Sequence, residues 1–121
     1  MRFATTLRVG FALGSLVSAP ALAQHRICTL DGAKQNDAFG RSVSSAGDVD
    51  RDGCPDLIVG ATEGINQRGS AVVYSGRDGR VLYRIAGQAF DDSLGFSVGT
   101  AGDLNKDGHD DFLVGATQDC G

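Results

Sequence analysis

Asp48-Val49-Asp50-Arg51-Asp52-Gly53-Cys54-Pro55-Asp56-Leu57-Ile58-Val59-Gly60-Ala61 returns further along the chain as Asp103-Leu104-Asn105-Lys106-Asp107-Gly108-His109-Asp110-Asp111-Phe112-Leu113-Val114-Gly115-Ala116. Each copy sets acid or amide side chains at positions 1, 3, 5 and 9 of a loop, with glycine at position 6. A short apolar strand follows at once. Alternating oxygen donors around a glycine turn make a cage for a hard cation. Several carboxylates in one short loop repel one another; a pair about 4 Å apart costs about 4 kcal/mol at an effective dielectric of 20. A dication removes that repulsion.

The expected calcium ligands in the first loop are Asp48, Asp50, Asp52 and Asp56, with the backbone carbonyl of Cys54 at position 7; the Cys54 thiol is too soft for calcium. In the second loop they are Asp103, Asn105, Asp107 and Asp111, with the carbonyl of His109. Asn105 gives up one charge, so the second site is expected to be the weaker. An EF-hand requires a bidentate Glu at position 12 and flanking helices. Position 12 is Val59 in one copy and Val114 in the other, both within expected strands, so that reading fails.

The repetition extends beyond the loops. Residues 37–62 align with 92–117 without a gap, with 14 identities in 26 positions. Upstream, 25–32 align with 80–87. A period of this size, about 50 residues, signals solenoids, propellers or arrays. Four short strands are expected in the repeat: 81–85, 95–102 (like 40–47), 56–61 and 70–75. Gly76-Arg77-Asp78-Gly79 turns the chain from one repeat into the next. No sustained apolar spacing of helical period occurs after Ala23. The reading is therefore all-β: antiparallel four-stranded blades of a β-propeller, incomplete, with fewer than two blades present. About three repeats are usually needed for stability, so further blades or self-association are expected.

Residues 1–23 read as a secretory signal peptide. Arg2 and Arg8 give a positive start, 9–17 are apolar, and Ala21-Leu22-Ala23 is an A-x-A cleavage site. The organisation expected is thus a leader at 1–23, a first repeat at 24–79 and an incomplete second repeat at 80–121. Without Arg2 and Arg8 the chain holds 9 basic against 15 acidic residues, a net charge of −6. Fourteen of those acids are Asp and only Glu63 is Glu, which favours turns and cation loops over helices. An acidic surface without a Lys/Arg cluster argues against nucleic acid. No segment after the leader is apolar enough to span a bilayer. Cys28, Cys54 and Cys120 face Tyr83, His109 and Ile65 in the repeat frame, so no disulfide framework is expected, with one incidental bridge left open.

Phe39-Gly40, Gly47-Asp48 and Gly60-Ala61 resemble an FG-GAP repeat, the propeller blade of integrin α-subunits and of many secreted bacterial proteins. Thr62 stands where the family has Pro, and Leu94-Gly95 replaces the aromatic pair in the second copy. The resemblance covers essentially all of 24–121. It implies calcium in the Asp-rich hairpin loops and an extracellular adhesion or interaction role, with an unidentified protein or cell-surface partner. Such a chain would be secreted, at the cell surface or in the periplasm.

Two other functions stay open. One is the N-terminal or accessory propeller part of a larger secreted enzyme, such as a phospholipase D-like hydrolase. The other is a non-functional truncated remnant. No catalysis is expected from these residues themselves. There are two histidines, His25 and His109, and neither stands in a nucleophilic or zinc-binding arrangement. Ser42 and Ser97 read as packing residues.

Overall fold

A computed structural model describes residues 6–12, 24–63 and 67–117. These form eight strands: β1 (Thr6–Ala12), β2 (Gln24–Asp31), β3 (Phe39–Gly47), β4 (Asp56–Ala61), β5 (Ser70–Tyr74), β6 (Val81–Ala86), β7 (Ser97–Gly102) and β8 (Asp111–Gly115). All pairing between these strands is antiparallel, in three sheets ordered β1-β2, β3-β4-β5-β6 and β7-β8. The chain is all-β and open, one complete four-stranded blade with part of a blade on either side. Every strand expected from the sequence is present, with only small differences at the ends.

The complete blade does not coincide with one sequence repeat. It takes β3, β4 and β5 from the first repeat and its outer strand, β6, from the second. β2, the repeat counterpart of β6, is then the outer strand of a preceding blade. β7 and β8 repeat β3 and β4 with the same pairing. Ser42 faces Gly60 and Val43 faces Val59, while Ser97 faces Gly115 and Val98 faces Val114. Both pairs carry a bulge just before the last match, Gly47 with Asp56 and Gly102 with Asp111.

β1 lies within the residues read as a leader. It pairs with β2 as Thr6 to Asp31, Leu7 to Leu30, Arg8 to Thr29 and Val9 to Cys28, then shifts by one to Gly10 with Arg26. β5 pairs with β6 as Ser70 to Ala86, Ala71 to Ile85, Val72 to Arg84 and Val73 to Tyr83, then shifts to Tyr74 with Val81. The β6 partners Ala86, Ile85, Arg84, Tyr83 and Val81 have Asp31, Leu30, Thr29, Cys28 and Arg26 as their repeat counterparts, so the two registers are the same. β1 thus takes the place on β2 that a blade's third strand takes on its fourth. The remainder of the leader reading, including Ala21-Leu22-Ala23, lies outside the described residues, as does Cys120. Cys28 and Cys54 are free thiols.

The core explains the continuous apolar run of β4. A strand with both faces covered needs no alternation. Val59 and Ala61 pack with Leu30, Phe39, Val72 and Tyr74 on one face, joined by Cys28 and Leu57. Ile58 packs with Ala46, Val49, Ala71 and Val73 on the other, where Val98, Phe112 and Val114 of the next sheet close over them. The blade is therefore sandwiched between β2 and the β7–β8 pair. Ile58, Val59 and Val73 are fully buried, and burying each such side chain contributes about 1.5–3 kcal/mol. Contact between the layers is close. Ser42 Oγ donates to the Gly95 carbonyl at 2.7 Å, the packing role expected of that serine.

Candidate metal centre

The β3–β4 and β7–β8 loops adopt one conformation. The backbone is left-handed at position 4 (Arg51, φ 61°; Lys106, φ 59°) and at position 6 (Gly53, φ 85°; Gly108, φ 89°). Glycine takes this conformation without penalty, whereas in Arg and Lys it is strained. The cost is offset by a shared set of side-chain hydrogen bonds. Asp48 accepts the N–H groups of Asp52 and Gly53, both at 3.0 Å. Asp103 accepts those of Asp107 and Gly108, at 3.0 and 2.8 Å. Asp50 and Asn105 each cap the N–H at position 5, at 3.2 and 3.1 Å. Asp52 and Asp107 each accept the N–H at position 7, both at 2.8 Å. Such local side-chain bonds fold the loop before any ion is considered.

The ninth position closes each loop. Asp56 reaches back to the Val49 N–H at 2.7 Å and forward to the Gly76 N–H at 3.0 Å. It is 2% exposed. Asp111 accepts the Leu104 N–H at 2.8 Å in a more open setting. Each is the first residue of a strand, β4 or β8, so the sheet fixes one side of each loop.

In the first loop, carboxylate oxygens of Asp48, Asp50 and Asp56 lie within 4.8 Å of one another. This is a set of hard oxygen donors with neither thiolate nor imidazole among them, which suits Ca²⁺ or Mg²⁺ and not Zn²⁺. Asp52 stands apart from that trio. One of its oxygens holds the Cys54 N–H and the other faces Ser75 Oγ at 3.5 Å. In the second loop Asn105 occupies the place of Asp50, and no comparable carboxylate trio forms among the described residues. Asn105 Nδ2 instead donates to Asp107 Oδ2 at 3.1 Å. The His109 N–H, more than any other contact, holds the Asp107 carboxyl below the usual carboxylate range.

Three features were not legible from the motif. Arg80 Nη2 donates to Asp50 Oδ2 at 2.9 Å. Arg80 is largely exposed, so this ion pair contributes about 0–1 kcal/mol and can yield to a dication. Gly76 and Ser75, just after β5, support the first loop from the next turn of the blade. Asp110 and the His109 ring reach from the second loop to the first. Only Asp110 left a sequence trace, as an extra acid where the first loop has Pro55. Asp37 and Asp92 serve the turns before β3 and β7: Asp37 accepts the Lys34 and Phe39 N–H groups at 3.1 and 3.0 Å, and Asp92 those of Gln88 and Ala89 at 3.1 and 2.7 Å.

The family model described as FG-GAP repeat matches residues 39–81 and 94–120. Integrin alpha-5 of Xenopus laevis is 40% identical over 78 residues, covering 64% of this chain and 7% of that protein. Integrin alpha-8 of Mus musculus is 34% identical over 96 residues, 72% of this chain and 9% of the relative. Integrin alpha pat-2 of Caenorhabditis elegans is 32% identical over 117 residues, 89% of this chain and 10% of the relative. The chain spans about a tenth or less of the length of these relatives.

Proposed function

The chain belongs to the FG-GAP repeat family, and from that premise we propose that it is an exported, calcium-stabilised interaction module without catalytic activity. The observation that carries the reading is the trio Asp48, Asp50 and Asp56, gathered within 4.8 Å in a loop between two blade strands. In this reading calcium is held by those three, by Asp52 after a side-chain turn, and by the Cys54 carbonyl. Asp103, Asn105, Asp107, Asp111 and the His109 carbonyl serve a second, weaker ion. The ions neutralise the loops and pin β3 to β4 and β7 to β8. The blade faces are then left to meet a protein or cell-surface partner.

Residues 1–23 act as a leader, whose removal on export frees the edge of β2 that β1 covers, and repeats occupy 24–79 and 80–121. Export brings the loops to millimolar calcium, matching the affinities of about 10⁻⁴–10⁻³ M typical of extracellular modules. The test is a calorimetric titration of the full chain with calcium, with magnesium as control. Two calcium-selective sites are expected, the weaker abolished by Asp107→Ala. A folded chain that takes up no calcium would overturn the reading.

A further inference from the structure

The second loop grips the first. Asp110 Oδ2 accepts the Asp48 N–H at 2.8 Å. The Asp110 N–H in turn donates to the Asp48 carbonyl at 3.1 Å. His109 Nδ1 lies 2.7 Å from the Val49 carbonyl oxygen; since a carbonyl only accepts, Nδ1 carries the proton and donates. The Arg51 guanidinium lies over Gly108, where a Cβ would stand 3.2 Å from its central carbon. Gly47 leaves room for the grip, because a Cβ there would collide with the Asp110 carboxylate.

These contacts fall on the segment that begins the first site. Asp48 is its position 1, and Val49 joins it to Asp50. The grip is also directional. The residues of the first loop at positions 7 and 8 are Cys54 and Pro55. Proline has no N–H and no carboxylate, so the first loop lacks the groups with which the second reaches across.

We infer that His109 and Asp110 are positioning residues for the first metal site, coupling it to the second, so that calcium in the second loop raises the affinity of the first. The inference rests on the calcium reading of both loops. Residue 109 serves two ends: its carbonyl is an expected ligand of the second ion, while its ring holds the backbone between Asp48 and Asp50. An ion in the second loop fixes residue 109 and with it the first loop. The ordering entropy of that segment is then already lost when the first loop fills. The effect is reciprocal: an ion in the first loop tightens the second equally.

The test uses the full chain, with calcium calorimetry on the unaltered protein and on Asp50→Ala, Asp110→Ala, Asp110→Asn and the pair Asp50→Ala with Asp110→Ala. The tighter first loop fills first, so the coupling is read at the second: emptying the first loop by Asp50→Ala is expected to weaken the second site by about fivefold or more. In the Asp110→Ala background the same change is expected to leave the second site unmoved. Asp110→Asn keeps an oxygen for the Asp48 N–H and is expected to keep the coupling. A readout independent of heat is hydrogen exchange at the Asp48 amide, which calcium in the second loop is expected to slow in Asp50→Ala and not in the pair.

If Asp110→Ala fails to fold, the Asp50→Ala calorimetry still decides. Two ions bound by the unaltered chain with a second-site affinity indifferent to Asp50→Ala would overturn the coupling alone. No calcium bound by the folded, unaltered chain would overturn the functional reading beneath it.

Discussion

Asp56 accepts the Val49 N–H at 2.7 Å, and this single bond shuts the first loop. The same carboxylate holds the Gly76 N–H at 3.0 Å, so it ties the loop to the turn after β5. Among the described residues its counterpart Asp111 makes the first of these bonds, to Leu104, and makes it in the open.

Asp56→Ala leaves two backbone donors without their acceptor, the Val49 N–H buried and the Gly76 N–H half-buried. The expected loss is about 2–6 kcal/mol, since each orphaned group costs about 1–3 kcal/mol. Asp111→Ala exposes one donor to water and is expected to cost about 1 kcal/mol or less. Urea unfolding in the absence of calcium separates the two. Equal losses would mean that the buried pairing of Asp56 is not what holds the first loop shut.

Gly60 and Gly115 occupy the same place in the repeat, and here too the surroundings differ. A Cβ at Gly60 would drive into the Gly95 carbonyl and approach Ser42 Oγ at 2.5 Å. Among the described residues, a Cβ at Gly115 would meet the movable hydroxyl of Ser97, with that residue's backbone oxygen at 3.5 Å. Gly60→Ala must push the segment leading into β7 away from the blade, at about 1–3 kcal/mol as in other overpacked cores. Gly115→Ala is expected to cost less than half as much. Thermal melts of the two variants decide, and a Gly60→Ala chain as stable as the parent would show that this segment does not seat on β4.

Both contrasts mark what the sequence could and could not convey. The Asp-x-Asp/Asn-x-Asp-Gly frame declared the loops because the side chains there bond to backbone groups of the same short loop. The strand after each loop was legible because 57–59 and 112–114 are apolar and lead into Gly-Ala. The phase of the blade was not. A repeat has no preferred starting point, and only the pairing of β5 with β6, Val73 facing Tyr83, shows that the fourth strand comes from the following copy. The seat of β1 on β2 was equally hidden. Strand pairing joins backbone edges, and Thr6-Leu7-Arg8-Val9 has little in common with Ser70-Ala71-Val72-Val73 beyond an ability to extend. Arg80 and Asp110 were missed because their partners, Asp50 and Asp48, lie 30 and 62 residues away.

Tyr74 makes the core sensitive to alkali. It is 7% exposed and packs edge-on against Phe39, with ring centroids 6.4 Å apart. Burial raises its pKa above the ordinary value of 10.0. The folded state thus holds the phenolic proton more tightly than the unfolded chain. The resulting stability is fully present below the unfolded pKa and is lost as pH rises through the raised folded value. Denaturant midpoints of the parent are expected to fall across that range, and Tyr74→Phe is expected to flatten the fall. A parent and variant with parallel alkaline profiles would assign the loss to other groups.

Asn105→Asp tests whether charge sets the ranking of the two loops. Asn105 stands where the first loop has Asp50, and its amide donates to Asp107 at 3.1 Å. Replacing it removes that donor and sets a third full charge beside Asp103 and Asp107. The Asp107 carboxyl, which the His109 N–H holds low, loses in this variant the Asn105 amide that also lowers it. Without calcium the variant is therefore expected to melt below the parent. With calcium the order reverses, because ligand charge count tunes affinity and the second site tightens by about tenfold. Calorimetry reads the affinity and melts with and without calcium read the crossing. An unchanged second-site affinity would take residue 105 out of the coordination sphere, and a drop without recovery would show that the amide bond to Asp107 matters more than the added charge.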